Sequence, residues 1–399
     1  MLAVLMVRGH KRSMQNALNT FFRSIGQVWP VPTSSAYAPA RQQLKPQVFL
    51  YLNQMVPQDV YELPGQDEPV RRWRGHRLVG LDASFLNVPD TAETRAACSV
   101  HVNQHAGAEC LQAMASVWFD VLNDGGVSAG VGRRQAEKNV LLTEHLAATT
   151  QGDCLVLDRL DADYAVMAYV LGNKRDFVVR FPRRRFTHVN AFFDRREPEQ
   201  TVALEVPHSA RECVRKEALP HRLTGRLIRV TLESGEEEVL GTSLVETRQS
   251  PRAEFKQVDG WRWNEATYVD RLKNIFEVER FSGMSVSSIE QDCYGMIFLT
   301  TLESELSKPA PEALAPESRA RATKHVAPVN RVVSDVAVLD RVVELWCDHQ
   351  AHTAELLAEL QHLFQTNPTR QRVGRKSERP TRGYARKLWF YRYLKRVIA

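Results

Sequence analysis

HRLVGLDASFL, His76 to Leu86, is a short apolar run with one acid, Asp82, in its middle and a turn beyond it at Pro89. It reads as a strand. An ionised carboxylate inside such a run is costly to desolvate, so Asp82 needs a metal ion, a cationic neighbour or a hydrogen-bonding turn. GDCLVLDR, Gly152 to Arg159, repeats the pattern: an apolar strand ends on Asp158, with Arg159 as the ordinary ionic partner at hand.

The text between and after these runs sets the fold class. CSVHVNQHAGAECLQAMASVWFDVLND, Cys98 to Asp124, reads as extended segments turning at Gly107 and again at Asn123 to Gly126. A helix is expected over Arg133 to Ala148, amphipathic through Val140, Leu141, His145 and Leu146. Another is expected over Tyr164 to Leu171, and DFVVRFP, Asp176 to Pro182, is a third strand. Strands in series, then strand alternating with helix, argue for an α/β protein built on a mixed sheet. From about Arg183 to Ser250, TVALEVP and the hairpin RLIRVTLESGEEEVLGTSL, turning near Ser234 and Gly235, form a β-rich insertion.

WRWNEATYVDRLKNIFEVERFSG, Trp261 to Gly283, reads as one helix. Tyr268, Leu272, Ile275 and Phe276 fall on its apolar side; Arg262, Ala266, Lys273, Glu277 and Arg280 share the other. Such a charged face is either plain solvated surface or a ligand-facing stripe. Trp261 and Trp263 suit core packing or stacking on a flipped base. A second long helix is expected from Ser287 to Leu306, a Pro/Ala linker over Ser307 to Lys324, and one or two amphipathic helices over Val332 to Phe364.

At 399 residues, 43% hydrophobic and 25% charged, the chain is long enough for two or three globular domains. Its longest apolar run near the start, Leu2 to Val7, is too short for a membrane span or a secretory core, so a cytoplasmic protein is expected. Six cysteines stand singly with no CxxC pair, which argues against a zinc site or a disulfide framework. The net charge of +6 permits a polyanionic partner without demanding one. From Arg370 to Arg396 eleven Lys or Arg face a single acid, Glu378, with aromatics among them. That tail is a solubilising end, or a segment that docks on nucleic acid or on the protein's own body. The N-terminal part has helical patches around Ser13 to Ile25 and Pro39 to Leu52. Its cations, among them Arg23 and Arg41, suit a DNA-contacting module as well as a helical cap on the next domain.

If the strands of Asp82 and Asp158 are neighbours, their carboxylates converge at the sheet edge. There they can hold two Mg2+ ions that activate an attacking oxygen and stabilise a leaving one in phosphodiester chemistry.

LVGLDASFLNVPDT around Asp82, DCLVLDR ending at Arg159, and the Trp261 to Gly283 block with SIEQDCYG after it resemble the three catalytic blocks of a bacterial DDE transposase. The branch is the insertion-sequence-four family, and the resemblance spans about Lys45 to Leu306. It implies a ribonuclease-H-like core with a β-strand insertion before the third acid. The family's Tyr-Arg-Glu-Lys signature places its Arg on Arg262 and its Lys on Lys273. Its Tyr position falls on Asp259 and its Glu position on Ala266. Glu265 sits one residue early, about 100° round the helix. After the second acid the family has a small residue and then Tyr; this chain has Leu160 and Asp161. The two Tyr-to-Asp replacements are expected to set negative charge beside a site that must meet phosphate.

Residue by residue, the resemblance implies Asp82 and Asp158 as catalytic metal ligands and Glu265 as the available third acid. Two Mg2+ ions are implied, with Mn2+ substituting. Arg262 and Lys273 would hold phosphates, with Arg159, Arg180, Arg183, Arg184 and Arg185 as further backbone contacts. The implied activity is metal-dependent DNA end cleavage and strand transfer, cut-and-paste transposition, acting on double-stranded inverted-repeat ends and target DNA. A homodimer assembled on DNA, a nucleoid-associated cytoplasmic location and no membrane partner go with it. The alternative is a catalytically inactive DNA-binding remnant that binds transposon ends or inhibits active copies. The domain reading that follows is 1–70, a helical DNA-end-binding region; 71–306, the core with its insertion at about 183–250; 307–324, a linker; and 325–399, a helical region with the basic tail.

Overall fold

Three helices open the described chain: α1 (Met14–Ser24), α2 (Ser34–Gln43) and α3 (Gln47–Glu62). The computed structural model describes residues 13–26, 30–62, 71–102, 109–132, 145–159, 162–183, 186–195, 197–232, 235–308, 329–347 and 353–369. In α1, Leu18, Phe21 and Phe22 recur at the spacing of one helical face, and all three are buried. The expected helical patch Pro39 to Leu52 is two helices. The chain goes extended at Leu44, just ahead of Lys45, whose helical conformation is disfavoured by Pro46.

The sheet strands follow. β1 (Leu78–Asn87) leads through α4 (Ala92–Ala97) to β2 (Ser99–Val102), β3 (Glu109–Asp120) and β4 (Gly125–Gly132). β3 and β4 are joined by a turn in which Asp120 Oδ1 accepts from the backbone N–H of Leu122 and Asn123 at 3.1 and 3.0 Å. β5 (Cys154–Leu157), α5 (Tyr164–Gly172) and β6 (Asp176–Phe181) form a parallel crossover, for which a helix is the usual connector. α5 is apolar nearly all round and accordingly almost wholly buried, with Asp163 capping its start.

The expected insertion contains α6 (Thr187–Asp194) and α7 (Arg211–Lys216) as well as β7 (Glu199–Glu205), β8 (Arg222–Thr231) and β9 (Glu237–Thr242). Its strands continue the main sheet. The order is β2-β3-β1-β5-β6-β9-β8-β7, with β4 beside β2 on the same side of β3. At its centre β4-β3-β1 are antiparallel and β1-β5-β6 parallel, a ribonuclease-H-like mixed sheet to which the insertion adds three antiparallel strands.

Four helices close the described chain: α8 (Phe255–Asn274), α9 (Val286–Ser307), α10 (Arg331–Cys347) and α11 (Thr353–Thr366). The Trp261 to Gly283 block is therefore not one helix. α8 starts earlier, at Phe255, and stops at Asn274, beyond which Glu277 adopts φ 50°. Phe276, Val278 and Phe281 continue the apolar spacing, and they are buried as a turn packed on the core. The expected helix over 133–148 is described only at its end; of the expected linker Ser307 closes α9, and residues 309–324 and the basic tail lie outside the described residues.

Apolar residues alternate across the sheet. In β1 and β5, Leu78, Leu86, Cys154 and Val156 join a core shared with α1, α3, α8 and α9; Val79, Leu155 and Leu157 join a second core with α5 and α6. Each buried aliphatic side chain contributes about 1.5–3 kcal/mol. The N-terminal helices thus share the main core. Arg41, weighed as a DNA contact, is buried and donates to Gln291 Oε1 at 2.8 Å and Asp292 Oδ1 at 3.0 Å. That is capping behaviour. Among the described residues, no helix is long and apolar enough to cross a membrane.

Candidate functional site

β1 and β5 lie side by side and parallel, with Leu78 opposite Cys154, Val79 opposite Leu155 and Gly80 opposite Val156. Carried two residues past the last registered pair, to one residue beyond the end of β5, that stagger would set position 82 level with Asp158. Adjacent strands are about 4.8 Å apart. Leu78 and Leu86 of β1 and Cys154 and Val156 of β5 lie on the face that α8 covers, and positions 82 and 158 share their parity in sequence. The strands expected to be neighbours are neighbours.

α8 packs against β1, β5 and β8. Tyr268 is buried from it against Phe119, ring centroids 4.5 Å apart, and shares a 2.7 Å hydrogen bond with Thr300. Burial raises the Tyr268 hydroxyl to about 12, so it stays a neutral donor. Lys273 Nζ donates to the carbonyl of Phe85 in β1 at 2.8 Å, tying the end of α8 to the strand that carries Asp82. Arg262, Glu265 and Ala266 lie within α8, and their side chains fall outside the described residues, as does that of Asp82.

Beside Asp158 runs a chain of ion pairs. Arg159 Nη2 donates to Glu238 Oε1 at 2.7 Å, Glu238 pairs through its other oxygen with Arg180, and Arg180 Nη2 reaches Asp259 Oδ2 at 3.0 Å. Arg180, Glu238 and Asp259 are all buried, whereas the Arg159 side chain is 47% exposed. Two expectations change. Arg180 is not a DNA contact, because its guanidinium is enclosed between two carboxylates. The charge of Asp259 faces Arg180 inside the protein, where the sequence alone suggested repulsion of phosphate. The sequence also gave no notice of Glu238; its one signal is an acid opening the apolar run of β9.

Of the remaining expected contacts, Arg183 is exposed, 3.7 Å from Asp194, and lies over the Phe193 ring. Arg184, Arg185, Leu160 and Asp161 lie outside the described residues, and Trp261 packs partly buried against the main core. His145 bonds Ser116 and Ser128 at 2.7 and 2.9 Å and stacks on Trp118. Burial pushes it down to about 4, which makes it a neutral core histidine with no solvent-facing nucleophile beside it.

Carboxylates are the donors that a hard divalent cation takes. Among the described residues no group of three or more His, Cys, Asp or Glu could hold a metal.

No family model matches the sequence, and no curated protein matches it. A solved structure to which the fold is similar is the piggyBac transposase synaptic complex with hairpin DNA, determined by cryo-EM. That similarity covers 97% of this chain and 78% of that chain, at 11% identity and a TM-score of 0.42. It assigns this chain no residue and no activity.

Proposed function

We propose that the chain is a metal-dependent DDE transposase of the insertion-sequence-four kind, which cleaves transposon ends and joins them to target DNA. The observation that supports the reading is the parallel pairing of β1 and β5 under α8, whose stagger, carried forward, would bring Asp82 level with Asp158. The resemblance adds a third acid on that helix. Glu265 is the available third acid, because the signature position holds Ala266.

Asp82 and Asp158 would hold divalent ions, Mg2+ with Mn2+ substituting, which when bound supply the charge that activates an attacking oxygen and stabilises the leaving one. Arg159, half exposed beside Asp158, would take a phosphate of the cut strand. Arg262 and Arg183 to Arg185 would follow the backbone further out. An ammonium carries three donors, so the bond from Lys273 to Phe85 is compatible with a phosphate contact. The partners are double-stranded inverted-repeat ends and target DNA in the bacterial nucleoid, held by a homodimer assembled on them.

Ala266 favours a second reading, a remnant that binds ends without cutting them and hinders active copies. The test is a duplex carrying the flanking inverted repeat, incubated with the purified chain and Mn2+. Cleavage by the chain as it stands removes the remnant reading. Binding without cleavage supports it, and failure to bind the repeat at moderate salt removes DNA as the partner.

A further inference from the structure

We infer that Arg180 is a positioning residue that sets the N-terminal half of α8 over the Asp82 and Asp158 positions. The inference rests on the metal-site reading above. Arg180 sits in β6 where it pairs with β9, opposite Leu240, and its guanidinium divides between two elements. One arm holds Asp259 of α8 at 3.0 Å, about two helical turns before Ala266. The other holds Glu238, whose second oxygen takes Arg159 at 2.7 Å, the residue next to Asp158. A single buried cation thereby fixes both sides of the candidate site, the end of β5 and the helix that carries Glu265.

The charges balance along this path. Arg159 and Arg180 face Glu238 and Asp259, so the chain of ion pairs adds no net charge beside the acids. The planar, two-armed guanidinium suits the task, since it can satisfy two carboxylates in fixed directions where an ammonium offers a point charge. Asp259 in the Tyr position of the signature is then one half of a pair whose other half is Arg180.

The experiment follows Mn2+ binding to the full chain by electron paramagnetic resonance, beside thermal unfolding, for the parent and for D158N, R180K, R180M and R180M/D259M. The double variant removes the Asp259 charge that R180M leaves unpaired while Glu238 keeps Arg159, so it is expected to regain part of the thermal stability lost in R180M without restoring the fork. Mn2+ affinity is expected to stay about tenfold below the parent in each folded Arg180 variant, R180K included, as for other partners that orient metal ligands. Parent-like affinity in any folded Arg180 variant would overturn the positioning role and leave Arg180 a structural ion-pair member. If the parent binds no Mn2+, or binds it equally well as D158N, the metal-site reading has failed. The positioning role then falls with it, and the D158N control identifies that cause.

Discussion

Arg271 of α8 and Asp335 of α10 form a buried two-armed contact, with Nε donating to Oδ2 at 2.6 Å and Nη2 shared with Glu303 of α9. Arg331 closes the group, 2.7 Å from Glu303 and 2.7 Å from Asp124 in the β3–β4 turn. Burial alone opposes the Arg271 charge, but Glu303 and Asp335 beside it raise its pKa well above the ordinary value. Glu303 is held below its ordinary range by Arg271 and Arg331, against its burial. This group anchors the C-terminal half of α8 as Arg180 anchors the N-terminal half. It also makes α10 part of the core fold.

Removing one member of such a group leaves unpaired buried carboxylates. R271M is expected to lower unfolding stability by about 3–5 kcal/mol, read by urea denaturation. A loss below about 1 kcal/mol would mean that the pair is exposed in solution, as surface ion pairs contribute no more than that.

Gly241 in β9 tests whether the insertion belongs to the main sheet. A Cβ added there would run into the ring of Phe181 on the paired strand, and that ring is itself packed edge-on against Phe186. G241A is expected to cost about 1–3 kcal/mol by overpacking, measured as a lowered denaturation midpoint at unchanged slope. A neutral substitution would contradict the pairing of β6 with β9.

His145 supplies a pH signature. Its folded pKa of about 4 lies below its ordinary 6.5, so the folded state binds fewer protons than the unfolded state between those values, and stability falls as pH falls through that window. The full effect is about 3 kcal/mol at 1.36 kcal/mol per unit. Asp120 and Asp335, each raised to about 6 by burial, slope the other way, so the comparison must be with H145Q, in which their contribution cancels. Relative to that variant, the parent is expected to lose about 2 kcal/mol between pH 7 and pH 4.5. Parallel pH profiles would contradict a neutral, buried His145.

Much of the sheet was legible because an apolar run with a single acid, as at Asp82 or Asp158, has few structural homes. Strand alternation and Gly or Asn turns then marked β3, β8 and β9, whereas the glycine-rich β4 went unread. The end of α8 was not legible: Ile275, Phe276 and Phe281 keep a spacing that a helix and a core-packed turn both satisfy. Arg41 and Arg180 were weighed as DNA-facing cations, yet both are buried, as is Arg271. Their acids lie far off in sequence, Asp292 for Arg41, Asp259 for Arg180 and Asp335 for Arg271, and only the fold pairs them. The level placement of positions 82 and 158 was likewise out of reach, since it depends on which strands pair and with what stagger.

The central claim is that Asp82 and Asp158 form the core of a DNA-cutting site lacking its signature third acid. Its most direct measurement is cleavage of an inverted-repeat duplex in Mn2+ by A266E, beside A266E/D158N. Cleavage at the repeat end by A266E and none by A266E/D158N is the expected result. Cleavage that survives loss of Asp158, or no cleavage by an A266E protein that still binds the repeat, would contradict it.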